Sequence, residues 1–186
     1  MKNRVIVLMG PAGAGKSSVA SYIEEKWGIP QVITHTTRAK RIGETDGVDY
    51  YFESKASFET KHFLESVNYG GHRYGSSIEG LKRGFEKAPF VSIVLDTKGG
   101  QTYEERLGEQ AWLWYVTVSN VAELRSRLIA RGDDEKAIVQ RLSSAEFKRD
   151  LALPKAFENK ALVIKNDDWE KTKQAIDAQL SKEQND

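Results

Sequence analysis

Val5-Ile6-Val7-Leu8-Met9-Gly10-Pro11-Ala12-Gly13-Ala14-Gly15-Lys16-Ser17-Ser18 decides how this chain is read. Its first five residues form a continuous apolar run that ends at glycine. That is the pattern of a strand buried on both faces, and such strands belong to parallel sheets covered by helices. Ser17 to Trp27 reads as a helix, with Val19, Ala20, Ile23 and Trp27 on one face and Gly28 as its stop. Between strand and helix, Gly10 to Ser17 fits G-x-x-x-x-G-K-[ST]. Glycines at these positions let backbone N–H groups turn inward around phosphate oxygens, and the helix N-terminus adds its positive end. Lys16 is placed to reach nucleotide β- and γ-phosphates, and the Ser17 hydroxyl to ligate Mg²⁺. With glycine near 7% of residues, a chance match in a chain of this length is on the order of 1 in 100.

Working outward, Phe90 to Leu95, Trp112 to Val118 and Ala161 to Ile164 are further buried-strand runs. Helical stretches follow them at Gln101 to Gly108, Val121 to Arg131 and Trp169 to Leu180. Strands alternating with helices predict an α/β fold, a doubly wound parallel sheet with a P-loop at its centre. Residues 34–83 break the alternation. They are polar, carry six glycines and hold short β-like pieces at Tyr50 to Phe52 and Leu64 to Tyr69, so they read as a small mixed β/α insert. Residues 123–150 carry Arg125, Arg127, Arg131, Arg141 and Arg149 among helix formers with little apolar surface, which predicts a mobile helical lid on a thin core. The core then comprises 1–33, 84–122 and 151–186. The polar tail Ser181 to Asp186 is expected to fray.

The 186 residues carry 28 Lys+Arg against 27 Asp+Glu, a formal net charge of +1, which excludes a polybasic nucleic-acid binder on bulk electrostatics. Hydrophobic residues make up 39% and aromatic residues 10%, as in globular chains. Without cysteine there is no disulfide, thiolate zinc site or cysteine nucleophile. No apolar run approaches a membrane span, and the N-terminal run is too short for a signal peptide, so the expectation is a cytoplasmic protein with no membrane partner. His35, His62 and His72 lack metal spacing and read as surface or loop residues; the four tryptophans read as core, or interface for Trp112.

Leu95-Asp96 ends a buried strand, where a carboxylate either serves a Mg²⁺ shell or caps the next helix. A guanine-switch reader N-K-x-D is absent, because Asn159-Lys160-Ala161-Leu162 has no carboxylate at its fourth position. The remaining reading is a small kinase with a second, phosphate-bearing substrate. Thr36-Thr37-Arg38-Ala39-Lys40-Arg41-Ile42-Gly43-Glu44 and Gly47-Val48-Asp49-Tyr50 set two guanidinium forks beside a phenol, which suits a phosphate monoester. Glu65, ahead of Tyr74-Gly75-Ser76, can accept from the N1–H and N2–H edge of guanine, and a serine hydroxyl can serve O6.

On these motifs, together with the strand ending in Asp96, the Arg-Gly lid and Asn166-Asp167, the sequence from Val5 to about Asp168 resembles the guanylate kinases. The resemblance implies transfer of the ATP γ-phosphate to GMP, and to dGMP, with Mg²⁺ as cofactor and ATP and GMP as small-molecule partners, in a monomer or homodimer. It implies ATP contacts from Gly10, Ala12, Gly13, Ala14, Gly15, Lys16, Ser17, Ser18 and Asn166. GMP contacts would come from Thr34, Arg38, Arg41, Tyr50, Glu65, Tyr74, Ser76 and Asp96. Lys16, Arg38, Arg131 and Arg141 would be catalytic, with Ser17 and Asp96 (through water) at the metal. Two rivals stand beside this: a kinase for another nucleoside monophosphate, and a non-catalytic binding module of the same fold. The sequence also departs from the family pattern. Lys98 stands where a second acid is usual, the lid between Arg131 and Arg141 is one residue short, and Lys40 replaces a common proline.

Overall fold

The computed structural model describes residues 3–183. Its elements run β1 (Arg4–Met9), α1 (Lys16–Trp27), β2 (His35–Thr36), β3 (Tyr51–Phe52), α2 (Lys55–Glu59), β4 (Phe63–Tyr69), β5 (His72–Ser77), α3 (Ile78–Lys87), β6 (Phe90–Val94) and α4 (Thr97–Leu107). They continue with β7 (Ala111–Thr117), α5 (Ala122–Ala130), α6 (Glu135–Ser143), α7 (Ala145–Asp150), β8 (Leu162–Lys165) and α8 (Trp169–Glu183). Four strands form a parallel sheet in the order β6-β1-β7-β8, with Val5 opposite both Val91 and Ala111.

The central strand β1 is why this sheet can carry helices on both faces. Ile6 and Leu8 join one apolar cluster with α1, α5, α6, α7 and α8, while Val5, Val7 and Met9 join a second with Leu81 of α3 and Tyr103 of α4. All five side chains are fully buried. Burial of each aliphatic one contributes about 1.5–3 kcal/mol. The predicted α/β fold is thus present, with β8 shifted by one residue from its expected start.

The insert forms its own sheet, in the order β3-β2-β5-β4, with β2 parallel to β3 and the other pairs antiparallel. Strand β2 escaped the sequence reading because it has two residues, and β5 because His72–Ser77 is polar and carries Gly75. Helix α3 runs through the expected boundary at residue 83 and packs against the core through Leu81.

Several expectations need correction. The lid does not rest on a thin core: Leu124 and Leu128 of α5, Ile138 of α6 and Phe147 of α7 are at most 4% exposed and belong to the first cluster. Spaced singly among charges, they gave no visible apolar run. Helix α4 begins at Thr97 and not Gln101, because Asp96 caps it by accepting from the Gly99 N–H at 2.6 Å. His35 is no surface residue. Its ring is buried, with Nδ1 2.8 Å from Glu53 Oε1 and Nε2 3.1 Å from Ser77 Oγ. Trp169 is exposed and meets Tyr22 edge-on. Helix α8 continues through Glu183, so Ser181 to Glu183 is ordered as helix, and the rest of the expected fraying tail lies outside the described residues.

Candidate active site

The cradle connects β1 to α1 and is built from backbone. Gly10, Gly13 and Gly15 adopt φ of +134°, +86° and +99°, which side-chain-bearing residues rarely reach. At Gly15 a Cβ would also overlap Asn166 Nδ2. Asn166 braces this loop: Nδ2 donates to Ala14 O at 2.8 Å and Oδ1 accepts from Thr172 Oγ1 at 3.0 Å. Lys16 Nζ donates to the carbonyls of Gly10 and Pro11 at 2.6 and 3.0 Å. Burial pushes its ammonium down to about 8, against the pull of Asp150 and Asp96.

The cradle opens into a cavity of about 450 Å³ that reaches the insert and the lid. Of the residues singled out from sequence, Gly10, Ala12, Gly13, Gly15, Lys16, Ser17, Ser18 and Asn166 line it on the core side. Thr34, Arg38, Arg41, Tyr50, Glu65 and Tyr74 line it from the insert, with Arg131, Arg141 and Asp96 completing the wall. Two lie behind the wall. Ala14 is buried under the loop, and Ser76 is fully buried with its Oγ accepting from Tyr103 Oη at 2.9 Å.

On the insert side Arg38 is 7% exposed and holds Glu44 by both guanidinium arms, Nη1 to Oε2 at 2.9 Å and Nη2 to Oε1 at 2.7 Å. Its Nε has no partner. The Arg38–Glu44 pair is therefore a buried ion pair and not a solvated loop contact. Burial opposes ionisation of Glu44, but Arg38 and the Arg41 N–H together hold its carboxyl below the ordinary value. Arg41 lies 3.4 Å from Asp133 Oδ2 at the α5–α6 turn, and Arg131 also pairs with Asp133. Burial and the neighbouring Arg38 and Arg131 cations push Arg41 below its usual value, against the pull of Asp133.

Glu65 on β4 is 4% exposed and neither of its carboxylate oxygens has a hydrogen-bond partner. Burial pushes its carboxyl up to about 8 and the charge of Asp96 adds to the rise, while the nearby Ser76 hydroxyl and N–H pull it back. A buried acid with both oxygens free, on a cavity wall, is poised to accept a pair of donors.

Asp96 takes the capping role that the sequence allowed, at the N-terminus of α4, and its carboxylate also lines the cavity. Its Oδ2 accepts from Arg149 Nη2 at 2.6 Å. The sequence reading gave no site role to Arg149, Asp150, Thr97, Tyr69 or Asp133, none of which sits in a spaced motif. Around the cavity, Lys16, Arg38, Arg41, Arg127, Arg131 and Arg141 outnumber the acids Glu65, Asp96 and Asp150 two to one, as a polyphosphate guest requires. Oxygen donors from Ser17 and Asp96 share the wall with this cation-rich loop. They fit Mg²⁺, which takes one or two carboxylates and completes its shell from phosphates and water.

A sequence profile described as guanylate kinase matches residues 2–183. The chain is 33% identical to the guanylate kinase of Halalkalibacterium halodurans, over 91% of this chain and 83% of that one. It is also 33% identical to that of Haemophilus influenzae, over 98% and 89%. A crystal structure of guanylate kinase from Anaplasma phagocytophilum superposes with a TM-score of 0.68 at 23% identity, covering 98% of this chain and 87% of the other, and thereby shares the fold. With a match that spans the core, the insert and the lid alike, the chain belongs to the guanylate kinase family.

Proposed function

We propose that this guanylate kinase uses its cavity for Mg²⁺-dependent transfer of the ATP γ-phosphate to GMP, and to dGMP, giving ADP and GDP or dGDP. The observation that carries the reading is Glu65, a buried carboxyl with two unpaired oxygens in the same cavity as a glycine-built phosphate cradle.

In this reading Gly10 to Ser18 wrap the ATP phosphates with backbone N–H groups, and Lys16 leaves its carbonyl partners for phosphate oxygens. Asn166 serves ATP by holding the loop in shape. Arg38, kept in place by Glu44, joins Arg41, Tyr50 and Tyr74 on the GMP phosphate. Thr34 and Glu65 read guanine, with Ser76 backing Glu65 from behind the wall. Arg131 and Arg141 approach from the lid and spread the charge that develops on the transferred group. Ser17 and Asp96 would hold Mg²⁺, which supplies charge neutralisation at the phosphates when bound. No covalent intermediate is needed, because alignment and charge neutralisation lower the barrier for phosphoryl transfer. A cytoplasmic location and a monomer or homodimer complete the reading, and no helix among the described residues is long and apolar enough to cross a membrane.

The test is ADP release from Mg·ATP with GMP, dGMP, AMP, CMP and UMP. Turnover confined to GMP and dGMP is expected. Turnover with another base would overturn the specificity, and silence in a protein that still binds GMP would favour a non-catalytic module.

A further inference from the structure

One carboxylate on the cavity wall has no part in the scheme above. Asp150 closes α7 and is fully buried, yet it lines the cavity together with Lys16, Ser17 and Asp96. Its two oxygens live differently. Oδ1 accepts from the Thr97 N–H at 3.2 Å, the Thr97 hydroxyl at 2.5 Å and Arg149 Nε at 3.0 Å. Oδ2 is buried with no partner at all.

A carboxylate oxygen left unsatisfied inside a protein is costly, and the cost calls for a guest that supplies positive charge or a donor. Neighbouring side chains do not meet it. Lys16 Nζ is engaged with Gly10 and Pro11 carbonyls, and Arg149 spends its Nη2 on Asp96 Oδ2 and its Nε on Oδ1. Asp96 is itself heavily used, since the Gly99 N–H takes Oδ1. Lys98, in the position where an acid was expected two residues after Asp96, is exposed and does not line the cavity. The wall near the cradle thus offers a hydroxyl, a committed carboxylate and one free carboxylate oxygen. That is an all-oxygen donor set of low number, which suits a hydrated divalent cation carrying phosphates.

We propose that Asp150 is a metal-site acid, which together with Ser17 and Asp96 holds the water shell of the divalent cation that accompanies ATP. The acid missing at residue 98 is supplied from the lid, so the metal site is assembled only when α7 is docked on the N-terminus of α4. Arg149 is a positioning residue here, fixing the separation of the two carboxylates by bonding to both. The inference rests on the Mg·ATP reading of the cavity.

The test uses Mn²⁺ as probe and the protein·ADP complex, with free Mn²⁺ read by electron paramagnetic resonance. Asp150→Asn should weaken Mn²⁺ binding about tenfold, while ADP affinity measured in EDTA stays the same. Because the variant removes a buried charge and could fail to fold, a second measurement is made on the wild type. Fe²⁺ and ascorbate added to the ADP complex should cleave the backbone near Asp150 as well as near Ser17 and Asp96. Wild-type Mn²⁺ affinity in the folded Asn variant, or cleavage that spares the Asp150 region, would overturn the proposal while leaving the Mg·ATP reading intact. A wild-type complex with ADP that binds no Mn²⁺ would bring down both.

Discussion

In the cradle the donors proposed for phosphate belong to the backbone of consecutive residues, held open by positive φ at Gly10, Gly13 and Gly15. In the insert they belong to side chains from separate segments: Arg38 and Arg41 after β2, Tyr50 before β3 and Tyr74 on β5. The first construction depends on the absence of side chains and on one helix terminus. The second depends on charges being buried and then balanced, Arg38 by Glu44 and Arg41 by Asp133. A backbone site is broken by adding atoms, and a side-chain site by removing charge.

The comparison is broken hardest at Gly10. A Cβ there would overlap the Val116 carbonyl oxygen, on the strand paired with β1, and the φ of +134° is hostile to any side chain. Gly10→Ala should cost about 4 kcal/mol, from backbone strain and overpacking together. Differential scanning calorimetry should show melting about 10 °C lower, with loss of ADP binding. An unshifted melting point would mean that the cradle tolerates a side chain.

The insert should respond in function before stability. Arg38→Ala strips Glu44 of its bidentate partner and should raise the KM for GMP on the order of 100-fold, with little change in the KM for ATP. Arg38→Lys should recover little, since an ammonium cannot form the fork. Equal losses for both substrates in steady-state kinetics would show that the two sites are not separately built.

The smallest expected effect is the most diagnostic. With its carboxyl at about 8, Glu65 is mostly protonated in the free protein at neutral pH, whereas accepting two guanine donors needs the carboxylate. GMP binding must therefore release a proton, and affinity should rise up to about tenfold per pH unit until pH approaches 8. For the folded state the sign is opposite. A folded value above the unfolded 4.5 means that Glu65 favours folding at low pH, and that this contribution fades as pH climbs from about 5 to 8. Glu65→Gln should flatten the binding dependence between pH 7 and 8.5 and reduce GMP discrimination. Calorimetry in buffers of differing ionisation enthalpy reads the proton directly; no proton release by the wild type would remove Glu65 from base recognition.

What could be read in advance follows the same division. β1 and the cradle are contiguous, and their meaning lies in apolar run, glycine spacing and lysine position, all properties of adjacent residues. The α/β alternation was legible for the same reason, because buried parallel strands are apolar throughout. The insert motif named Arg38, Arg41 and Tyr50, but not that Arg38 would be buried with Glu44 while its Nε stays free. His35 shows the limit well: nothing local says that Glu53 and Ser77 will arrive on its two ring nitrogens.

The sequence by itself determined the strand–loop–helix, the sheet class and the chemical kind of the guests, since these rest on periodicity and on residue types within a few positions of one another. Tertiary structure alone decided which charges share a cavity. It brings Asp150 from the lid to Thr97 and Arg149 to Asp96, each across some fifty residues of chain, and it buries Glu65 without a partner. It also seats Leu124, Leu128, Ile138 and Phe147 in the main core, under a segment that reads as mostly charged. The physical reason is that desolvation and Coulomb interaction depend on distance in space and on water exclusion, which are set by packing and not by order along the chain.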